Sequence, residues 1–143
     1  MIFEELKYIY KGTSGCEKDK EFYANILGAV LIWEFKRFGT SVAAFKLGNC
    51  NHLLLIADHL DAYENIPIYR TDDLEKSVQE LENKGLSFKS SKFGIPDGNC
   101  ILFEDNTANK YGIYEQAKDD EYLVNEYERQ QKEKSTQQSA KRL

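Results

Sequence analysis

The chain repeats itself, and the repeat limits its fold more than any other feature. Shifted by 58 residues, Cys16-Glu17-Lys18 falls on Leu74-Glu75-Lys76, Phe45 on Phe103 and Asn51 on Asn109. Gly28 falls one place from Gly85, so the second helix is one residue shorter. The identities are few, and the order of patterns carries the match. A supersecondary unit used twice buries its apolar face against its neighbour copy.

Each copy reads strand, helix, then three strands. In the first, residues 6–10 form a β-prone run. Thr13 or Ser14 caps a helix over residues 17–27 with Phe22, Tyr23, Ile26 and Leu27 as its apolar face, and Gly28 closes it. Strands are expected at 29–36, 42–47 and 52–57, with turns at Phe38-Gly39-Thr40 and Gly48-Asn49. In the second copy, a strand over 66–70 leads to a helix over 74–84, capped by Thr71 or Asp72 and stopped by Gly85. Strands follow at 86–90, 100–103 and 111–115, with Pro96-Asp97-Gly98-Asn99 as a turn. Residues 59–64 link the copies. The expected organisation is one domain over 1–117, built of modules 1–60 and 64–117, then a polar segment over 118–143. Leu123 and Tyr127, four apart, predict a short amphipathic helix over 119–132, frayed from Glu133 onward.

The composition narrows the function. With 24 acidic against 19 basic residues the net charge is −5, which offers phosphates no basic field and argues against nucleic acid. No apolar run approaches the ~20 residues of a membrane span. Acids at the N-terminus argue against an export signal. Three cysteines without a CxxC suit a reduced, cytoplasmic protein.

Residues 16–28 (CEKDKEFYANILG), residues 68–85 (IYRTDDLEKSVQELENKG) and the hairpin over 96–115 resemble the vicinal oxygen chelate superfamily, the glyoxalase/bleomycin-resistance/dioxygenase group. The likeness covers residues 5–116. It implies an α+β fold: two βαβββ modules forming one cupped mixed sheet with helices outside. It also implies a homodimer, with the C-terminal helix as a candidate interface. In metal-dependent members, four inward positions on the first and last strands of each module hold a divalent ion, a Lewis acid for paired substrate oxygens. Carried over, these positions are Tyr8, Leu54, Ile66 and Gly112. Gly112 follows the Asp105-Asn106-Thr107-Ala108-Asn109 turn, and the offset of 58 places Leu54. A phenol with a pKa of about 10 is a weak ligand, and the other three cannot ligate through side chains. The expectation is no metal and no cofactor.

What remains is an aromatic cup. Tyr8 and Tyr10 share a strand face, as do Gly112 and Tyr114, and as do Trp33 and Phe35, opposite Ile32 and Glu34. Tyrosine hydroxyls among apolar rings suit a flat or partly cationic organic molecule. Gly112 leaves room for a bulky guest or marks a β-bulge. His52 shares the face of Leu54 and is expected to point into the cup as a hydrogen-bonding group or base. His59 belongs to the linker. The candidate ligand-binding set is Tyr8, Tyr10, Trp33, His52, Leu54, Ile66, Gly112 and Tyr114, and no catalytic residue is singled out. Glu115 should face away from the cup, and Glu34 could pair with Lys36 or Lys46. Cys16, near a helix start, could have a lowered pKa. Three functions fit. The first is a metal-independent binder of a small aromatic or cationic molecule. The second is a lyase, isomerase or dioxygenase of the same superfamily. The third is a non-catalytic interaction protein with a vestigial cup.

Overall fold

The computed structural model describes residues 2–37, 40–58 and 63–141. Phe38 and Gly39 of the first expected turn, and His59 of the linker, lie outside the described residues. The first module runs β1 (Glu5–Gly12), α1 (Cys16–Glu21), which continues as a π-helical turn over Phe22–Ile26, β2 (Val30–Arg37), β3 (Thr40–Lys46) and β4 (Leu53–Ala57). The second runs β5 (Asn65–Thr71), α2 (Leu74–Asn83), β6 (Phe93–Ile95), β7 (Gly98–Glu104) and β8 (Lys110–Gln116). A last helix, α3, spans Asp120–Lys141.

The strands form one eight-stranded mixed sheet in the order β2-β3-β4-β1-β5-β8-β7-β6. β1 pairs parallel with β4, and β5 parallel with β8. The modules meet where β1 pairs antiparallel with β5, Tyr8 opposite Ile68 and Tyr10 opposite Ile66. Both halves of the half-barrel therefore come from one chain, and the α+β fold that the resemblance implied is the observed one.

Several local expectations need correction. Residues 86–90 make no strand. The Pro96-Asp97 connection sets Ile95 opposite Gly98, so the strand beside β7 can only be 93–95. The cap of α2 is Asp73, whose carboxylate accepts from Lys76 N at 3.1 Å, one or two residues later than expected. The start of α1 has no side-chain cap; the Thr13 hydroxyl instead accepts from Gly15 N. Of the apolar face expected on the first helix only Tyr23 packs inward. The wide π turn, closed by Leu27 N on Phe22 O, rotates Phe22, Ile26 and Leu27 outward into solvent. Left-handed Gly28 (φ 71°) and Gly85 (φ 108°) end the two helical segments, as predicted.

The sheet has two differently covered faces. On the convex face α1 covers Ala43, Phe45, Leu54 and Ile56, and α2 covers Ile101, Ile113, Tyr69 and Phe103. On the concave face one apolar cluster crosses both modules: Tyr8, Tyr10, Trp33, Leu55, Ile66, Ile68, Cys100 and Tyr114. α3 lies over it, with Leu123 buried in the cluster and Val124 and Tyr127 packed against it. The helix extends well past Lys132, and the segment expected to fray is helical through Lys141. The Leu123/Tyr127 spacing thus predicted the helix, and its contact is the cup of its own chain.

Candidate functional site

The concave face is built by strand alternation, adjusted by two bulges. One lies between Leu6 and Tyr8 and brings Lys7 inside as well as Tyr8, both buried. The other lies between Leu31 and Trp33 and places Ile32 in the same cluster as Trp33 and Phe35, not opposite them. Glu34 does face the other way. Its partner is Lys20 of α1 at 2.6 Å, not Lys36 or Lys46. Glu115 also points away from the cup and accepts from Leu74 N at the start of α2.

Of the eight candidate residues, Tyr8, Tyr10, Trp33, Ile66 and Tyr114 meet in this one cluster. Gly112 lies on the same face, opposite Ile68, but leaves no room there. A Cβ on it would stand 3.0 Å from Leu102 Cδ2 and 3.1 Å from Ile68 Cγ1. Leu54 is misplaced by the expectation. Phe45 pairs with Leu54 across β3–β4, whereas Phe103 pairs with Tyr111 across β7–β8. The first connection is longer by one residue, so the offset falls from 58 to 57 in the last strands. The true counterpart of Gly112 is Leu55, opposite Tyr10 and fully buried in the cup, while Leu54 packs under α1. His52 lies one residue before β4, outside the strand, and is half-buried.

A polar cluster that the sequence did not reveal sits at the floor of the cup. The Tyr8 hydroxyl donates to Asp97 Oδ2 at 2.6 Å, both residues fully buried. The Tyr8 and Tyr114 rings lie 5.5 Å apart. By hydrogen-bond geometry Asp97 Oδ1 and the Tyr114 hydroxyl are buried without a partner among the described residues, although the Tyr8 hydroxyl lies close enough to Tyr114 to ease the rise of its phenol. Lys7 reaches out to Asp120 at the start of α3, 2.7 Å away. The Asp97 carbonyl accepts from Ala117 N and Lys118 N, so the same turn anchors the strand-to-helix connection that launches α3. Burial pushes the Asp97 carboxyl above its ordinary range. Asp120 adds to the shift, while the Tyr8 hydroxyl, its own backbone N–H and Lys7 oppose it. Burial also raises the Tyr8, Tyr10 and Tyr114 phenols and pushes Cys100 up to about 12, with Asp97 contributing to all but Tyr10. These phenols and this thiol are neutral, polar anchors. Cys16 behaves oppositely to expectation, because its burial raises the thiol more than Lys20 lowers it. Asp97 escaped the sequence reading because Pro-Asp-Gly-Asn is ordinary turn chemistry. Only the pairing of β6, β7 and β8 turns its side chain under Tyr8.

The four inward positions that the resemblance assigns to a divalent ion become, with the register corrected, Tyr8, Leu55, Ile66 and Gly112. One buried neutral phenol, two alkyl chains and a glycine do not fit such an ion. No group of three or more His, Cys, Asp or Glu side chains able to hold a metal occurs among the described residues.

No family model matches the sequence, and no curated protein matches it. Solved structures do match the fold. A methylmalonyl-CoA epimerase from Mycobacterium tuberculosis superposes with a TM-score of 0.69 at 14% identity, over 81% of this chain and 90% of that one. A hypothetical protein from Bacillus halodurans gives 0.68 at 13% identity, over 80% and 96%. A Streptomyces coelicolor methylmalonyl-CoA epimerase variant in complex with 2-nitronate-propionyl-CoA gives 0.67 at 12% identity, over 80% and 96%. At these identities the likeness speaks for architecture and not for chemistry. With the βαβββ repeat, the β1–β5 seam and these superpositions in hand, the chain has the glyoxalase/bleomycin-resistance-like fold of the vicinal oxygen chelate superfamily.

Proposed function

We propose that this protein binds a small organic molecule on its concave face without using a metal, and that α3 lifts to admit it. The observation that carries this reading is a pair of buried polar atoms unpartnered among the described residues, Asp97 Oδ1 and the Tyr114 hydroxyl, set among aromatic rings beneath a helix. A buried polar atom without a partner costs on the order of 1–3 kcal/mol. A guest that supplies the missing hydrogen bonds recovers that cost on binding. The proposed contacts are Tyr8, Tyr10, Trp33, Ile66 and Tyr114, with Asp97 added. Leu54, packed under α1, drops out, His52 lies just outside the strands that line the cup, and Gly112 serves only as part of the floor.

Trp33 is the only tryptophan in the chain and lies in this cluster, so its fluorescence reports directly on the cup. The test is a titration of the full chain with flat aromatic compounds, alongside native mass spectrometry of the protein as purified. A saturable Trp33 response, unchanged in His52→Ala, supports the reading. Silence from every compound, with no organic adduct in the spectrum, removes it. The proposal includes a cytoplasmic homodimer. Sedimentation giving twice the 16.5 kDa chain mass supports that part, and a particle of single mass removes it.

A second reading draws on the burial of Leu123: α3 is a permanent cover, and the protein a non-catalytic interaction module. It predicts that weakening the α3 contact destabilises the protein without changing any affinity.

A further inference from the structure

We infer that the guest of this cup carries a positive charge bearing N–H donors, a protonated primary or secondary amine on a flat apolar body, seated between Asp97 Oδ1 and the Tyr114 hydroxyl. This rests on the reading that the concave face binds a small molecule, and it goes further by naming the ligand class.

The charge count comes first. The titratable groups around Asp97 are Lys7 and Tyr8 from β1, Cys100 from β7, Tyr114 from β8 and Asp120 from α3. The phenols and the thiol are neutral. Two carboxylates face one ammonium, so the cluster carries −2 + 1 = −1 when Asp97 is ionised. That ammonium is already committed, since Lys7 holds Asp120 at 2.7 Å. A single positive charge cancels the remainder. A neutral guest leaves it, and an anionic guest doubles it in surroundings where an unpaired charge is expensive.

The hydrogen-bond inventory gives the second constraint. Asp97 Oδ1 can only accept when ionised, and the Tyr114 hydroxyl oxygen can accept as well. Oδ1 needs a donor, the Tyr8 hydroxyl is already spent on Oδ2, and the Tyr114 hydroxyl is free to accept from the same guest or to donate to it. An ammonium with two N–H groups serves both atoms at once. A quaternary ammonium has the charge and no donor, and an alcohol has a donor and no charge. The rings of Tyr8, Tyr10 and Trp33 then offer faces to a cation and to its flat body. Burial, the main cause of the raised Asp97 carboxyl, is the penalty that a bound cation would offset.

The experiment uses the full chain and four probes of one shape: benzylamine, benzyltrimethylammonium, benzyl alcohol and benzoate. Binding is read by Trp33 fluorescence and by calorimetry. Charge-assisted hydrogen bonds predict benzylamine binding about ten- to a hundredfold tighter than benzyl alcohol. Asp97→Asn should bring the amine down to the alcohol's affinity. Tyr114→Phe, which keeps the ring, should weaken the amine and leave the alcohol unchanged, and it decides the matter if Asp97→Asn does not fold. Alcohol, benzoate or the quaternary ion binding as tightly as the amine, with Trp33 responding, overturns this inference and leaves the small-molecule reading standing. Equal amine affinity in Tyr114→Phe and wild type overturns it too. If no probe of any charge moves Trp33, both fall.

Discussion

Asp97 is where the residue scale matters most, because it is a buried carboxyl held by Tyr8 through Oδ2, with Oδ1 unpartnered among the described residues. Its pKa is raised in the folded state, so the folded chain holds the proton to higher pH than the unfolded chain does. Stability is therefore lost as pH rises from the unfolded value of about 3.9 through the raised folded value, and the penalty is complete above it. Asparagine carries no charge, keeps an acceptor for Tyr8 and brings an amide donor toward Tyr114. Asp97→Asn should gain about 1–2 kcal/mol over wild type at alkaline pH, shrinking toward zero or reversing near pH 4. Urea denaturation at a series of pH values checks this; a difference that does not vary with pH refutes it. Two glycines give a contrast. A Cβ on Gly98 would stand 2.0 Å from Glu115 O, a backbone atom that cannot move aside. A Cβ on Gly112 would press on Leu102 and Ile68 side-chain ends that can. Gly98→Ala should cost about 3 kcal/mol or more and Gly112→Ala about 1, read as shifts in the unfolding midpoint. Little of this was legible beforehand. Alternation predicted Tyr8 with Tyr10 and Gly112 with Tyr114, because those pairs lie within single strands. It could not give Lys7 or Ile32, which bulges bring to the cup face, nor Asp97, which a turn delivers from elsewhere.

At the scale of elements, α3 decides whether the cup is a site or a core. Its hold consists of Leu123 in the cluster, Tyr127 edge-on to Phe35 with centroids 6.5 Å apart, and the Lys7–Asp120 pair. Asp120 is largely exposed, so that pair contributes less than about 1 kcal/mol. Leu123 is 2% exposed, and its truncation to alanine should cost about 2–4 kcal/mol. If α3 must lift before a guest enters, the same substitution enlarges the open fraction, and apparent affinity rises by that factor. Leu123→Ala should thus lower the unfolding midpoint and tighten amine binding together, while Asp120→Asn does both weakly. A lower midpoint with unchanged or weaker binding favours the permanent cover. The helix was visible in the Leu123/Tyr127 spacing. Its partner was not, since an apolar stripe says that something covers it and nothing about what. The strand expected over 86–90, which does not form, has a similar cause: β-prone residues were there, but the Pro96-Asp97 turn had already fixed Phe93–Ile95 as the residues β7 pairs with.

The whole molecule is two half-cups joined at one seam, and the seam explains why the repeat gave the fold but misplaced part of the site. An offset of 58 relates β1 to β5 and β3 to β7, with one residue lost between them at Gly28/Gly85, which is enough to reveal the repeat. The longer β3–β4 connection then shifts it by one, and one residue moves a side chain to the opposite face of a sheet. The resemblance implies that in metal-dependent proteins of this fold an ion held by strands of both modules ties the halves together. Here the corresponding space is closed by Tyr8, Tyr10, Leu55, Ile66, Ile68 and Tyr114 in mutual contact. Cohesion between the modules is therefore apolar, and two consequences follow. Chelators and added divalent ions should leave the unfolding midpoint where it is. Ile68→Ala, at a fully buried seam position opposite Tyr8, should lower stability by about 2–5 kcal/mol. Because the cluster spans both modules, the loss should not uncouple them. Trp33 fluorescence, which reports on the first module, and far-ultraviolet circular dichroism, which averages over both, should trace one coincident transition in wild type and variant alike. Two separated transitions in wild type would mean that the modules fold as independent units and that the concave cluster is too weak to join them. A midpoint raised by zinc, nickel or manganese would mean that an ion, and not this apolar contact, holds the halves together.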